Sequence, residues 1–325
     1  MADRDALPVR ADVSAQPPSD FTGLRTHPVP EAAAGPGGVW WATRHAVSEM
    51  GPVRALKALR VVNQFEGFDC PGCAWPDPDT HRSGLGEFCE NGAKAVAEEA
   101  TRKRVGPDFF AQHTVAELSE RSDYWLGKQG RLTHPMILEP GADRYRATTW
   151  DEALDVVVEH LKALDTPDDA YFYTSGRTSN EAAFLYQLMV RRFGTNNLPD
   201  CSNMCHESSG VGMREAVGTG KGTVALGDFE KADAIFVFGQ NPGTNHPRML
   251  TELAKASKRG ARIVSFNPLR EAGLLNFTHP QHPADMIFGR STPISSHYYQ
   301  PRIGGDMAAV RAMVKSLLEK AAEDP

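Results

Sequence analysis

The chain has 325 residues, 41% hydrophobic and 23% charged, with 35 Lys and Arg against 41 Asp and Glu for a formal net charge of −6. That length accommodates two domains, or one large α/β domain with an extension, and the composition is that of an ordinary globular protein. The acidic balance argues against nucleic acid as main partner, because phosphate neutralisation needs clustered Lys and Arg, and no apolar run approaches the roughly 20 residues of a spanning helix. The N-terminus has no signal-peptide apolar region, so the sequence reads as cytoplasmic.

In chain order, residues 1–38 hold Pro8, Pro17, Pro18, Pro28, Pro30 and Pro36 with few large apolar side chains, the composition of a disordered arm. Residues 39–131 form a Cys-containing region, Gly/Pro/Asp-rich and therefore looped up to residue 91, where "NGAKAVAEEATRKRV" predicts a helix. From 132 to 325 helices and strands alternate. "TTWDEALDVVVEHLKAL" predicts a helix starting near Thr148 or Thr149, with acids in its first turn. "DAYFYTSG" (169–176) predicts a strand. "TSNEAAFLYQLMVRRFG" predicts a helix with Thr178 and Glu181 at capping-box spacing and Gly194 at its end. "ADAIFVFGQ" reads as a strand buried on both faces, 247–259 as a helix closed by Gly260, and "ARIVSF" as another buried strand. "ADMIF" (284–288) is expected as a further strand, and "GGDMAAVRAMVKSLLEKAAED" as a last helix. The alternation predicts an α/β fold: a mostly parallel, doubly wound sheet with helices on both faces, preceded by the loop-rich Cys region and the arm.

Ligands of such sheets bind at the C-terminal ends of the strands. Three polar turns stand there: "GQNPGTNHPR" after the first buried strand, "NPLREAG" after the second, and "RIGGD" before the last helix. Each alone reads as an ordinary turn. Together they favour a large phosphate-bearing cofactor, since a Gly-containing turn at a helix start presents free N–H groups. Neither GxGxxG nor GxxxxGK[ST] occurs, so an NAD-type fingerprint and a P-loop are not supported.

The five cysteines fall in two groups, which in a reducing compartment points to metal or redox chemistry more than to disulfides. Cys70 and Cys73 form a CxxC, Cys89 is a candidate third ligand, and Asp77, Asp79 or His81 a fourth, giving a zinc-like or iron–sulfur-like set. The plainer reading is a Gly/Pro loop with incidental thiols. Cys201 and Cys205 would share one face of a helix, and His206 follows the second directly. The "ESSGVG" after it looks like a helix start, a setting that suits a nucleophilic or metal-binding thiol. Two packed small residues and a surface histidine account for the same pattern.

Read together, the CxxC, "GEFCENG", "RLTHPMI", "TTWDEAL", "YTSGRTSNE", "GTNNLPDCSNMCHESS", "FGQNPGTNHPR" and "FNPLRE" resemble the N-terminal half of molybdopterin-dependent oxidoreductases of the formate dehydrogenase alpha-subunit type, in a formate-dehydrogenase-like subgroup. The resemblance runs from about residue 60 to the end. It implies that Cys205 ligates molybdenum, that His206 sits over the metal and takes the substrate proton, and that Cys201 is structural. It implies a molybdenum bis(molybdopterin guanine dinucleotide) cofactor, with Asn241, His246 and Pro247 on a dinucleotide-contacting loop, Asn267 where many relatives have Asp, and Gly305 and Asp306 in the next such loop.

Relatives with a [4Fe–4S] cluster use four cysteines. Cys70, Cys73 and Cys89 match the first, second and fourth, and the third position falls on Asp77, so an Asp ligand and a cluster-free chain are both open. Asn91 replaces the lysine between cluster and pterin. The family's chains are longer, so the resemblance implies a partial chain whose missing C-terminal half supplies much of the second pterin's pocket and the arginine that clamps the substrate. The partners implied are a small-molecule substrate and a redox partner for electron exit. A truncated, catalytically silent chain and a zinc-stabilised α/β binding module are the alternatives.

Overall fold

In the computed structural model, residues 28, 30–73, 75–174, 178–199, 203 and 205–323 are described. Most of the Pro-rich arm and Cys201 lie outside them. The chain divides into two compact units, one holding residues 101–159 and the other 30–100 with 160–325, and the division falls inside the helix Trp150–Lys162.

The smaller unit is built from short elements. Arg104–Val105 pairs in parallel with Arg131–Leu132, and Met136–Ile137 antiparallel with Arg146–Ala147. Helix Val115–Ser119 opens on a capping box, in which the Thr114 hydroxyl accepts from the Glu117 N–H and the Glu117 carboxylate accepts from the Thr114 N–H. Thr149 accepts from the Glu152 N–H and so starts the helix Trp150–Lys162, at the boundary expected from sequence. Phe109, Phe110, His113, Trp125 and Tyr145 meet edge-on or tilted at 4.7–6.3 Å between ring centroids.

The larger unit carries the α/β fold. Strand Arg262–Phe266 lies centrally, with Ala234–Phe238 on one side and His297–Tyr299 on the other, all parallel. Helix Met249–Arg259 connects the first two strands and closes on Gly260, whose φ of 92° suits glycine. Its Leu250, Leu253, Ala254 and Ala256 pack on Val237 and Ile263 of the sheet, and Leu274, Phe277 and Ile294 complete this core. Burying each Leu stabilises by about 1.5–3 kcal/mol. Ser265, fully buried, shares a hydrogen bond with Ser295 at 2.7 Å, and the Ser295 hydroxyl reaches Leu274 O at 2.6 Å, so the core's polar atoms are paired.

A second small sheet joins Ala33–Ala34 in parallel to Asn276–Thr278, which pairs antiparallel with Thr292–Pro293. Helices Gly35–Met50, Pro52–Val61 and Glu90–Glu99 pack through Ala46, Met50, Ala55 and Ala97.

Four local expectations are corrected. Residues 284–288 are helical, within Pro283–Phe288: proline at its first position, Asp285 in the first turn and Gly289 at φ 62° after its end are helix signals that outweigh the apolar run. The strand expected over 169–176 is not formed through Tyr173. Pro167–Asp169 takes a 3-10 turn instead, and the Phe172 N–H bonds to Asn197 O. Helix Asn180–Phe193 is capped by Ser179, which accepts from the Ala182 N–H, and not by Thr178; the Gly194 end is as expected, at φ 115°. Strand Ala234–Phe238 is buried on one face only: Val237 is in the core, while Phe236 and Phe238 are exposed.

Candidate functional site

The polar turns after the two longer strands meet at the C-terminal edge of the parallel sheet. Strand Ala234–Phe238 leaves through Gly239 at φ 61° into Gln240 and Asn241, and Pro242 then starts the single turn Pro242–Asn245. Strand Arg262–Phe266 leaves into Asn267, only 5% exposed. The Asn267 side-chain Oδ1 accepts from the Leu269 N–H at 2.9 Å, and its Nδ2 donates to Gln240 O at 3.3 Å. The Gln240 side chain meets His246 Nδ1 at 3.2 Å. Asn241 donates to Glu271 at 2.8 Å. Beneath them, the Tyr298 hydroxyl bonds Leu269 O and accepts from the Glu271 N–H, and its burial raises its pKa. The two turns approach most closely at glycines: a Cβ on Gly273 would lie 2.8 Å from the Gly243 Cα.

Asn241, His246, Pro247 and Asn267 are thus brought together, and two of their side chains are spent bracing one turn against the other. Gln240, Glu271 and Tyr298 complete this brace and were not singled out from sequence. Gly305 lies in a tight turn, its N–H bonding Arg302 O at 2.7 Å, and Asp306 opens the helix Asp306–Glu323. Cys205 and His206 are both exposed, just before helix Glu207–Val217, which His206 caps; its carbonyl accepts from the Gly210 N–H at 2.9 Å. Asn203 donates to Glu207 at 2.8 Å beside them. Among the described residues, no hydrogen bond, ion pair or ring contact joins Cys205 or His206 to the strand-end residues.

The cysteine loop lies against the same strand-end turn. Cys89 caps helix Glu90–Glu99 with its sulfur, which accepts from the Gly92 N–H at 3.3 Å, and Cys70 Sγ accepts from the Gly72 N–H at the same distance. Both sulfurs crowd Gly92, where a Cβ would sit 3.0 Å from Cys70 Sγ and 3.7 Å from Cys89 Sγ. Burial raises the Cys89 pKa, and the neighbouring Cys70 and Cys73 raise it further, so the three thiols are within electrostatic reach of one another. Asp77, one of the residues open as a fourth ligand, is engaged by arginines. Asp77 is ion-paired with Arg248 at 2.5 Å, with Arg82 at 3.8 Å from its other oxygen.

Arg248 also holds Glu87 at 2.6 Å. Burial pulls the Arg248 pKa down, but the bonds to Asp77 and Glu87 outweigh it and leave it raised. Asn91, at the position of the family's lysine, donates to Thr244 O at 2.6 Å. Among the described residues, no group of three or more His, Cys, Asp or Glu is placed to hold a metal ion. A cavity of about 690 Å³ opens beside this contact, lined among others by Trp75, His81, Cys89, Pro247, Arg248 and His279. Arg248 was the signal missed: it ends the quoted "GTNHPR" but its partners are more than 160 residues away.

Among the described residues, no helix is long and apolar enough to cross a membrane. Residues 131–286 match the family model for molybdopterin oxidoreductase. An uncharacterised oxidoreductase of Mycobacterium bovis is 55% identical over 92% of this chain and 38% of its own length. YdeP of Escherichia coli is 49% identical over 89% of this chain and 38% of its own. The alpha subunit of F420-dependent formate dehydrogenase 2 of Methanococcus maripaludis is 33% identical over 56% of this chain and 27% of its own. The chain therefore spans well under half the length of these curated relatives, and within that span residues 131–286 are similar to the molybdopterin oxidoreductase family.

Proposed function

We propose that the chain is the N-terminal part of a bis-pterin molybdenum oxidoreductase of formate dehydrogenase type, acting on a small-molecule substrate in the cytoplasm and passing electrons to a redox partner. The observation that carries the reading is the exposed Cys205–His206 pair at a helix start, inside the matched segment. The donor chemistry fits the implied cofactor: a soft thiol open to solvent suits a metal ligand, and the adjacent imidazole has a ring nitrogen that can accept a proton. Cys205 would hold molybdenum, and Asn241, His246, Pro247, Asn267, Gly305 and Asp306 would contact the guanine dinucleotides. When bound, the cofactor supplies the two-electron chemistry.

The chain's own residues bind and orient. His206 takes the substrate proton on a ring nitrogen. Asn267 and Gln240 keep the two strand-end turns in register, so that His246 is held by its Gln240 contact. The formate dehydrogenase subtype is supported by the similarity to the Methanococcus maripaludis formate dehydrogenase alpha subunit and by the ordered motifs of the sequence. An iron–sulfur cluster has no part in this reading.

The test is metal analysis of anaerobically purified chain beside its Cys205→Ser variant. Molybdenum is expected in the wild type and absent from the variant, with the unfolding midpoint unchanged because Cys205 is exposed. A chain that lacks molybdenum while a version extended past Pro325 holds it places the rest of the pocket in the added part. Zinc alone, or molybdenum retained by Cys205→Ser, refutes the reading.

A further inference from the structure

Among the described residues, 63–73 and 75–89 form no helix or strand between helix Pro52–Val61 and helix Glu90–Glu99, yet they are fastened at many points. Asn63 donates from its amide to Glu87 O at 2.8 Å and accepts from the Cys70 N–H at 2.7 Å. Arg82 donates to Asn63 O at 2.7 Å, and Gln64 to Ser83 O at 3.0 Å. From the far side, Gln281 donates to Gly86 O at 2.7 Å and shares a bond with the Ser83 hydroxyl at 2.8 Å. The strongest tie is Arg248, whose two guanidinium nitrogens take Asp77 and Glu87 separately. All three side chains are largely buried, at 13%, 17% and 16% exposed.

In small metal-built domains the metal supplies the folding energy of such a loop. Here the protein supplies it. The forked guanidinium matches two carboxylates at once, and with Arg82 near Asp77 the two acids face two cations. Arg248 follows Pro247 directly and precedes the buried Met249 and Leu250, so the node joins the cysteine loop to a turn anchored in the sheet core.

We infer that Asp77 is the docking carboxylate of Arg248 and not a ligand completing an iron–sulfur cluster, and that the Asp77–Arg248–Glu87 node fastens the cysteine loop to the turn bearing His246 and Pro247. With its carboxylate on Arg248, Asp77 is then not the fourth ligand of the three thiols. Arg248 is a positioning residue. The inference rests on these ion pairs alone and stands or falls apart from the molybdenum reading.

The experiment compares the full chain, purified anaerobically, with Asp77→Asn, Arg248→Met, the double variant and Arg248→Lys. Hydrogen exchange over residues 70–89 and iron per chain are the readouts, with molybdenum recorded separately. Each single charge loss is expected to speed exchange in the loop by at least about tenfold, since it leaves a half-buried partner uncompensated. The double variant should be no worse than either single, because both remove one interaction. Arg248→Lys should fall between, keeping the charge but not the fork. Iron per chain should be equal in wild type and Asp77→Asn, or fall together in Asp77→Asn and Arg248→Met as the loop opens in both. The inference is overturned if Asp77→Asn loses iron while its loop stays protected and Arg248→Met keeps both iron and protection.

Discussion

Acidification should loosen this part of the molecule through His279. Its ring stacks on His282 at 4.2 Å, its Nδ1 accepts from the Gln281 N–H at 3.2 Å, and its Nε2 meets the Thr251 hydroxyl at 3.5 Å. Burial, then the facing His282 and Lys258, lowers its pKa to about 4, with Lys255 adding to the same effect and Asp285 opposing it. The unfolded chain titrates near 6.5, so below that pH the unfolded state takes up a proton that the folded state refuses. Stability is therefore full above about pH 6.5, falls as the pH drops toward 4, and levels off below it. A shift of that size sets a ceiling of about 3 kcal/mol at 1.36 kcal/mol per pH unit. Because His279 is only partly buried, solvent screening reduces this to roughly 1–2 kcal/mol.

The assay is urea unfolding of wild type and His279→Gln at pH 7.5 and at pH 5, above the range where most carboxylates titrate. The wild type should lose about 1 kcal/mol more than the variant between the two conditions. Protonating Nδ1 would also set an N–H against the Gln281 N–H, and Gln281 carries two of the ties to the cysteine loop. The protection factor at Gly86, taken against the intrinsic exchange rate at each pH, should therefore fall with acid in the wild type first. Equal pH slopes for the two proteins refute the argument.

Four further substitutions test the packing. Leu253→Ala removes a fully buried side chain from the main core and should cost about 2–5 kcal/mol in denaturant unfolding, whereas Leu317→Ala, on an exposed stripe, should stay within about 0.5 kcal/mol. Gly273→Ala would set a methyl 2.8 Å from the Gly243 Cα; the turns must part, lowering stability by about 1–3 kcal/mol and raising exchange at Asn241 and Leu269. Gly194→Ala places a side chain at φ 115°, with Pro167 Cγ 3.3 Å away, and should lower the thermal midpoint by the equivalent of about 1 kcal/mol or more.

The helices and the two longer strands were legible because their signals are local. Gly194 and Gly260 mark helix ends, Ser179 lies one residue from the expected cap, and Arg262–Phe266 is a β-branched and aromatic run. Where two local signals compete, flanking residues outweigh the apolar run. At 283–288 the apolar residues fit a short strand or a short helix equally, and the flanking Pro283 and Gly289 decide it. Burial was harder to read than conformation. Phe236 and Phe238 have the composition of a core strand, yet they share the exposed face on which Phe238 and Tyr299 flank Phe266 at 4.6 and 5.2 Å.

The candidate site divides along the same line. That the strand-end turns are polar is written in consecutive residues; that Asn241 and Asn267 spend their amides on Glu271 and Gln240 is not, because those partners lie about 30 residues along and meet only once the sheet has formed. The Asp77–Arg248 pair spans 171 residues. At sequence level Asp77 was weighed by what stood near it, three cysteines, and a carboxylate beside thiols suggests a metal ligand. The fold gives it a nearer and oppositely charged neighbour in a half-buried setting, where a guanidinium left without its acid would be costly. The carboxylate that looks like part of a metal site is therefore better understood as part of the joint holding that loop in place, and Asn91, bonded to Thr244 of the same turn, belongs to that joint as well.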